Sequence, residues 1–141
     1  MDPFANVPIV VPIDFSEEAD RAVEFALEVA SSATKIHAIH VCPSLAFYEP
    51  AAVVMLPEDE TREQYQEAFS KRYAASKFRG LHFDVRFGDA GTQIVSFAAE
   101  VGAALIVMPS HGRTGLAHLL IGSVAERVVR LAPCAVLVLR G

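Results

Sequence analysis

The chain has 141 residues, 52% of them apolar and 21% charged, enough to bury one core without a metal or disulfide staple. A formal net charge of −5 and the lack of any Lys/Arg-rich run argue against a protein that wraps a polyanion, so no nucleic acid partner is expected. Cys42 and Cys134 do not make a spaced metal-binding pair and read as buried thiols. No basic-then-apolar segment opens the chain and no apolar run exceeds strand length, so no membrane partner is expected and the expected location is cytoplasmic.

Short apolar runs alternate with helix-period segments. Residues 9–13 read as a first strand bracketed by Pro8 and Pro12. Ser16 is a plausible N-cap, and Ala19, Ala22, Val23, Ala26, Leu27 and Ala30 repeat on one helix face. Residues 35–42 form a second strand, followed by a long, apolar connection in which residues 51–56 are read as packing on the sheet edge ahead of closing over a ligand or burying themselves in a dimer. A second helix is predicted over 58–77, with Tyr65, Phe69 and Tyr73 on one side. Residues 81–87 alternate apolar with His82, Asp84 and Arg86, a strand with one wet face. A third helix over 91–101, an entirely apolar strand over 103–108, a fourth helix over 122–131 with Val124, Val128 and Leu131 inward, and a strand over Ala135–Leu139 complete the order.

This order predicts an α/β fold of one domain spanning residues 1–141. Its core is a single doubly wound five-stranded parallel sheet, order 3-2-1-4-5, Rossmann-like. The last strand, Ala135–Leu139, then lies at an edge without a charge or proline to protect it, which predicts a homodimer through that strand. A terminal segment covering the edge is the alternative, and only Arg140 and Gly141 follow it.

In such a sheet a ligand binds beyond the strand ends where the winding reverses, here between strands one and four. That crevice is lined by Asp14 and by the loop that starts at Ser110. The loop carries Gly112, Gly115 and Gly122, and glycine lets backbone amides approach a phosphate. The helix beginning near Gly122 opens with Ser123, Val124 and Ala125 and no acid, which suits an anion at its N-terminus. An ordinary glycine-rich connection is the competing reading. Neither G-x-x-x-x-G-K-[ST] nor G-x-G-x-x-G after the first strand occurs, so neither a P-loop nor a dinucleotide site is expected.

Two stretches, Ile9 to Glu18 and Leu105 to Glu126 with its continuation Pro133-Cys134-Ala135-Val136-Leu137-Val138, resemble the universal stress protein family over nearly the whole chain. Members that bind ATP carry Gly-x2-Gly-x9-Gly-[Ser/Thr], which aligns here as Pro109-x2-Gly112-x9-Gly122-Ser123. The resemblance implies that Gly112, Gly122 and Ser123 hold the phosphates, followed by Val124 and Ala125. Pro12, Ile13, Asp14 and Val41 would surround the adenosine end, with Met108 and Pro109 on the nucleoside. Pro109 departs from the pattern and removes any N–H the usual glycine offers, although its carbonyl survives.

Asp14 reads as a ligand to ribose or a metal ahead of an Asx-type cap. His111 is a phosphate donor or a loop histidine bonded to backbone, and Arg113 a phosphate partner or a solvated residue. His37 and His40 fall on opposite strand faces and cannot share a metal. Ser110 and His111, being adjacent, are not expected to point at each other, and there is no G-x-S-x-G elbow. No metal site or catalytic residue is expected, with Mg²⁺ only as a companion of ATP. The expected function is an adenine-nucleotide-binding stress-response regulator holding ATP or AMP, read by an unidentified protein partner. The alternatives are a nucleotide-free interaction protein and, below it, a slow ATPase or a protein that phosphorylates itself on Ser110 or Ser123.

Overall fold

The computed structural model describes residues 2–43, 57–111 and 121–140. Five strands, β1 (Ile9–Pro12), β2 (Ile36–Cys42), β3 (His82–Phe87), β4 (Leu105–Pro109) and β5 (Ala135–Leu139), form one parallel sheet in the order β3-β2-β1-β4-β5. The predicted doubly wound order is the observed one. The central strands are almost wholly apolar because both their faces are covered. Ile9 and Val11 meet helix α1 (Glu17–Val29) in one core, whereas Val10 and Ile106 meet helices α3 (Ala90–Val101) and α4 (Ser123–Leu131) in the other.

Helix α2 (Glu58–Arg72) shares the α1 face through aromatic contacts. Phe69 stacks on Phe83 of β3 with centroids 4.3 Å apart. The helix was expected to reach residue 77 and stops five residues short of it, at Arg72. Tyr73 explains the stop: it is drawn into the core, and its hydroxyl donates to Asp20 of α1 at 2.6 Å while Arg72 clasps the same carboxylate. Burial opposes ionisation of Asp20, but the hydrogen bonds from Arg72 and Tyr73 outweigh it and hold its carboxyl below the usual 3.8. Asp20→Ala is therefore expected to cost about 1–3 kcal/mol at pH 7, because the buried Tyr73 hydroxyl loses its acceptor. The folded-state value is depressed, so this stabilisation is complete above the ordinary value and disappears as pH falls through the lower one. The gap between parent and variant in urea unfolding should accordingly hold at neutral pH and narrow only as pH falls below the ordinary 3.8.

Helix α4 departs from expectation in the face it buries. Ala125 and Val128 are inward, but Val124 and Leu131 are 37% and 47% exposed. Small Ala125 permits close packing on the sheet, which rotates the inward stripe one residue from the predicted one. Among the described residues, no helix is long and apolar enough to cross a membrane.

Candidate functional site

Two prolines open the crevice between β1 and β4. In a parallel sheet, alternate residues turn both backbone groups to the same neighbour. Ile13 N–H bonds to Ile39 of β2, so Ile9, Val11 and Ile13 face β2 while Val10 and Pro12 face β4. Ser110 N–H bonds to Leu139 of β5, so Val107 and Pro109 face β1. After Val10 pairs with Ile106, the next two rungs need the N–H of Pro12 and then that of Pro109. Neither exists, and the pairing stops there. Pro109 nevertheless belongs to β4, pairing with Leu139, because on that side its N–H is not required. Its carbonyl faces the opening.

The β1 side of the opening is a tight turn into α1. Ser16 N–H donates to Asp14 Oδ1 at 3.1 Å, and Ser16 Oγ accepts from Ala19 N–H at 3.2 Å. The Asx-type contact of Asp14 is thus present, and Ser16 is the N-cap expected. Phe15 between them has φ +62°, a left-handed conformation uncommon for a bulky side chain. Its ring is held by Tyr65, Phe83 and His40. On β2, Ile39 and Val41 face β1; Val41 lies beyond the last paired rung, so its backbone groups face the end of β1. The neighbouring Cys42 is buried, which pushes its thiol upward against the opposing influence of Arg62 and keeps it from being a ready nucleophile.

The β4 side closes on itself through backbone. The Ser110 carbonyl accepts the Gly122 N–H at 2.6 Å. A Cβ on Gly122 would stand 3.1 Å from that oxygen, so the approach depends on glycine. Ser110 is 6% exposed, and its Oγ lies 3.2 Å from His111 Nδ1. Contrary to the sequence expectation, these adjacent residues do meet, because the chain leaves the strand between them. His111 Nε2 is buried with no hydrogen-bond partner among the described residues.

Helix α4 starts beside this imidazole. Asp89 caps α3 and Ser16 caps α1, but Gly122 gives α4 no side-chain cap. The first intrahelical bond of α4 runs from Glu126 N–H to the Gly122 carbonyl, leaving the amides of Ser123, Val124 and Ala125 without helical acceptors. Gly122's own amide, by contrast, is spent on Ser110. Among the described residues, a buried imidazole nitrogen and three amides are left without partners, a set that suits an anionic oxygen, as a nucleotide phosphate supplies.

The sequence pattern of the universal stress protein family matches residues 6–140. This chain belongs to that family. A universal stress protein of Methanocaldococcus jannaschii is 35% identical over 138 residues, covering 94% of this chain and 81% of that one. The structure of universal stress protein UspA from Lactobacillus plantarum, 26% identical, superposes with a TM-score of 0.77 and covers 96% of this chain and 99% of its own. A universal stress protein from Archaeoglobus fulgidus in complex with dAMP, 22% identical, has a TM-score of 0.62 over 96% of this chain and 98% of its own, a likeness of fold.

In this universal stress protein the predicted site residues divide into four groups. Pro12, Ile13 and Asp14 lie at the end of β1, Val41 near the end of β2, Met108 to His111 at the end of β4, and Gly122 to Ala125 at the start of α4. Met108 and Ala125 bury their side chains in the core, which leaves only their backbone groups for a ligand. Gly112 and Arg113, with the apolar segment 51–56, lie outside the described residues. Phe15 was not singled out in the sequence, and His40 was weighed there only as a metal ligand. A polar residue on a strand reads as one facing water until the end of the neighbouring strand is known.

Proposed function

We propose that this chain is a regulator that binds an adenine nucleotide, ATP or AMP, in the crevice between β1 and β4. The observation that carries this is the β4–α4 turn, where His111 Nε2 is buried with no partner among the described residues beside the start of α4, which has no side-chain cap. Phosphate oxygens would meet His111 and the amides of Ser123, Val124 and Ala125, with Gly122 kept small so that the turn can close. Gly112 and Arg113 would complete the phosphate end. Pro12, Ile13, Asp14, Val41, Met108 and Pro109 would border the nucleoside, where the Val41 N–H and carbonyl make a donor–acceptor edge for the base. Mg²⁺ would accompany ATP through its phosphates. The occupied state would be read by a protein partner.

Calorimetric titration with ATP and AMP, with and without Mg²⁺, tests the reading. Saturable heat at submillimolar nucleotide is expected. Pro109→Gly restores a backbone donor facing the crevice and is expected to tighten binding about threefold to tenfold, as one additional neutral hydrogen bond does. The missing donor is also what favours a nucleotide-free interaction protein, and no heat and no thermal shift with either nucleotide would select that alternative.

The regulator would act as a two-fold dimer through β5. Leu139 turns its backbone to β4, so Val136 and Val138 direct theirs to the open edge. Helix α4, which touches β5, adds the exposed Val124, Val129 and Leu131. Val138→Pro removes an outward N–H without breaking the β4 ladder. Light scattering should give twice the chain mass for the parent and the single-chain mass for Val138→Pro; a monomeric parent would sink the dimer.

A further inference from the structure

Prolines release β1 from β4, but no proline releases it from β2. The ladder between those strands runs through Pro12–Ile39 and is followed by the bond from Ile13 N–H to the Ile39 carbonyl at 2.8 Å. One further rung would join Val41 N–H to the Ile13 carbonyl. Both residues can make it, and both face the right way. That rung is not formed. The Ile13 carbonyl is engaged instead by His40 Nδ1 at 2.8 Å. A carbonyl only accepts, so Nδ1 carries the proton and donates it.

The imidazole is fixed in this pose from the far side. Tyr65 of α2 lies 4.3 Å from it, centroid to centroid, and Phe15 meets it edge-on at 5.3 Å. Phe15 itself turns left-handed directly after Asp14 and carries the chain out of line with β2. Side chain and turn thus act together at the one point where the two strands part.

We propose that His40 is a positioning residue that stops the β1–β2 ladder. By engaging the Ile13 carbonyl it competes with Val41 for that acceptor and, with the Phe15 turn, keeps it out of the ladder, so that the Val41 N–H stays available to an acceptor atom on a ligand. The role in affinity rests on the nucleotide reading above, whereas the ladder stop stands without it. Parting β1 from its neighbours then takes two devices: missing donors on the β4 side and a diverted acceptor on the β2 side.

Amide hydrogen exchange of the full chain, read residue by residue by NMR without nucleotide, tests the stop. His40→Phe keeps an aromatic ring against Phe15 and Tyr65 but has no donor; His40→Asn keeps a nitrogen donor near the Nδ1 position. In His40→Phe the Val41 amide should exchange at least about tenfold more slowly than in the parent, since the extra rung closes, and ATP should bind about tenfold more weakly. His40→Asn should match the parent in both. The Ile13 amide, bonded to Ile39, is the control for an intact ladder. Unchanged Val41 exchange in His40→Phe with Ile13 still protected overturns the proposal, as does a His40→Asn variant that behaves like His40→Phe. If His40→Phe loses protection at Ile13, His40→Asn alone decides, and parent-like Val41 exchange there upholds the stop. A parent that binds no ATP while Val41 slows in His40→Phe upholds the stop and refutes the nucleotide reading instead.

Discussion

Gly122→Val is expected to raise the Kd for ATP by about a hundredfold or more, a loss near 3 kcal/mol, while the sheet stays folded. The effect arises at one contact. A Cβ at this position stands 3.1 Å from the Ser110 carbonyl oxygen, so the turn must give by a few tenths of an ångström there, while His111 Cα at 3.7 Å is in ordinary contact. Valine adds two methyl groups on a stiff side chain. The Ser110–Gly122 hydrogen bond must lengthen, and the start of α4 must swing away from His111. The three amides and the imidazole would then no longer reach one phosphate together, and a displacement of about 1 Å is enough to forfeit such an arrangement. The fold pays less, since Ala125 and Val128 still anchor α4 in the core. Overpacking of this size costs about 1–3 kcal/mol. Titration calorimetry beside thermal unfolding separates the two effects: a variant that stays folded and binds ATP like the parent would remove Gly122 from the site.

The architecture was legible because alternation of apolar runs with helix-period segments leaves few topologies. The crevice followed from strand order alone. What Pro12 and Pro109 do there was not legible, although both were noticed. Pro12 read as a strand-end marker and Pro109 as a defect in a glycine motif. Their meaning depends on which neighbour each backbone faces, and that parity is set by register. The same holds for His40: alternation assigned its face, but only the end of β1 one residue earlier in the pairing, at Pro12–Ile39, gives its imidazole a carbonyl to hold. On α4 the helical period admits two adjacent stripes, 124/128/131 and 125/128/132, and the choice falls to packing against α3 and the sheet. The Ser110–His111 contact was misjudged because adjacency argues against it in regular backbone, and the backbone there ceases to be regular.

His111→Asn should separate binding from stability. The Nε2 atom is buried with no hydrogen-bond partner among the described residues, so removing it deprives those residues of no hydrogen bond. Asparagine keeps a polar atom near the Nδ1 position for Ser110, whose hydroxyl is buried and needs one. Thermal unfolding without nucleotide should therefore change by about 0.5 kcal/mol or less, the range of a harmless substitution. Binding should suffer far more. A phosphate oxygen only accepts, so the fitting tautomer has the Ser110 hydroxyl donating to Nδ1 and the proton on Nε2. A hydrogen bond to a charged group contributes about 1.5–3 kcal/mol, so ATP affinity should fall about tenfold to a hundredfold. Gln reaches farther and can place a donor near the Nε2 position, so His111→Gln should recover most of the loss. Equal weakening by both substitutions would make His111 a support of the turn and leave the phosphate to the α4 amides. No weakening by either would mean that the buried nitrogen finds its acceptor elsewhere, and the observation that carries the nucleotide reading would fall with it.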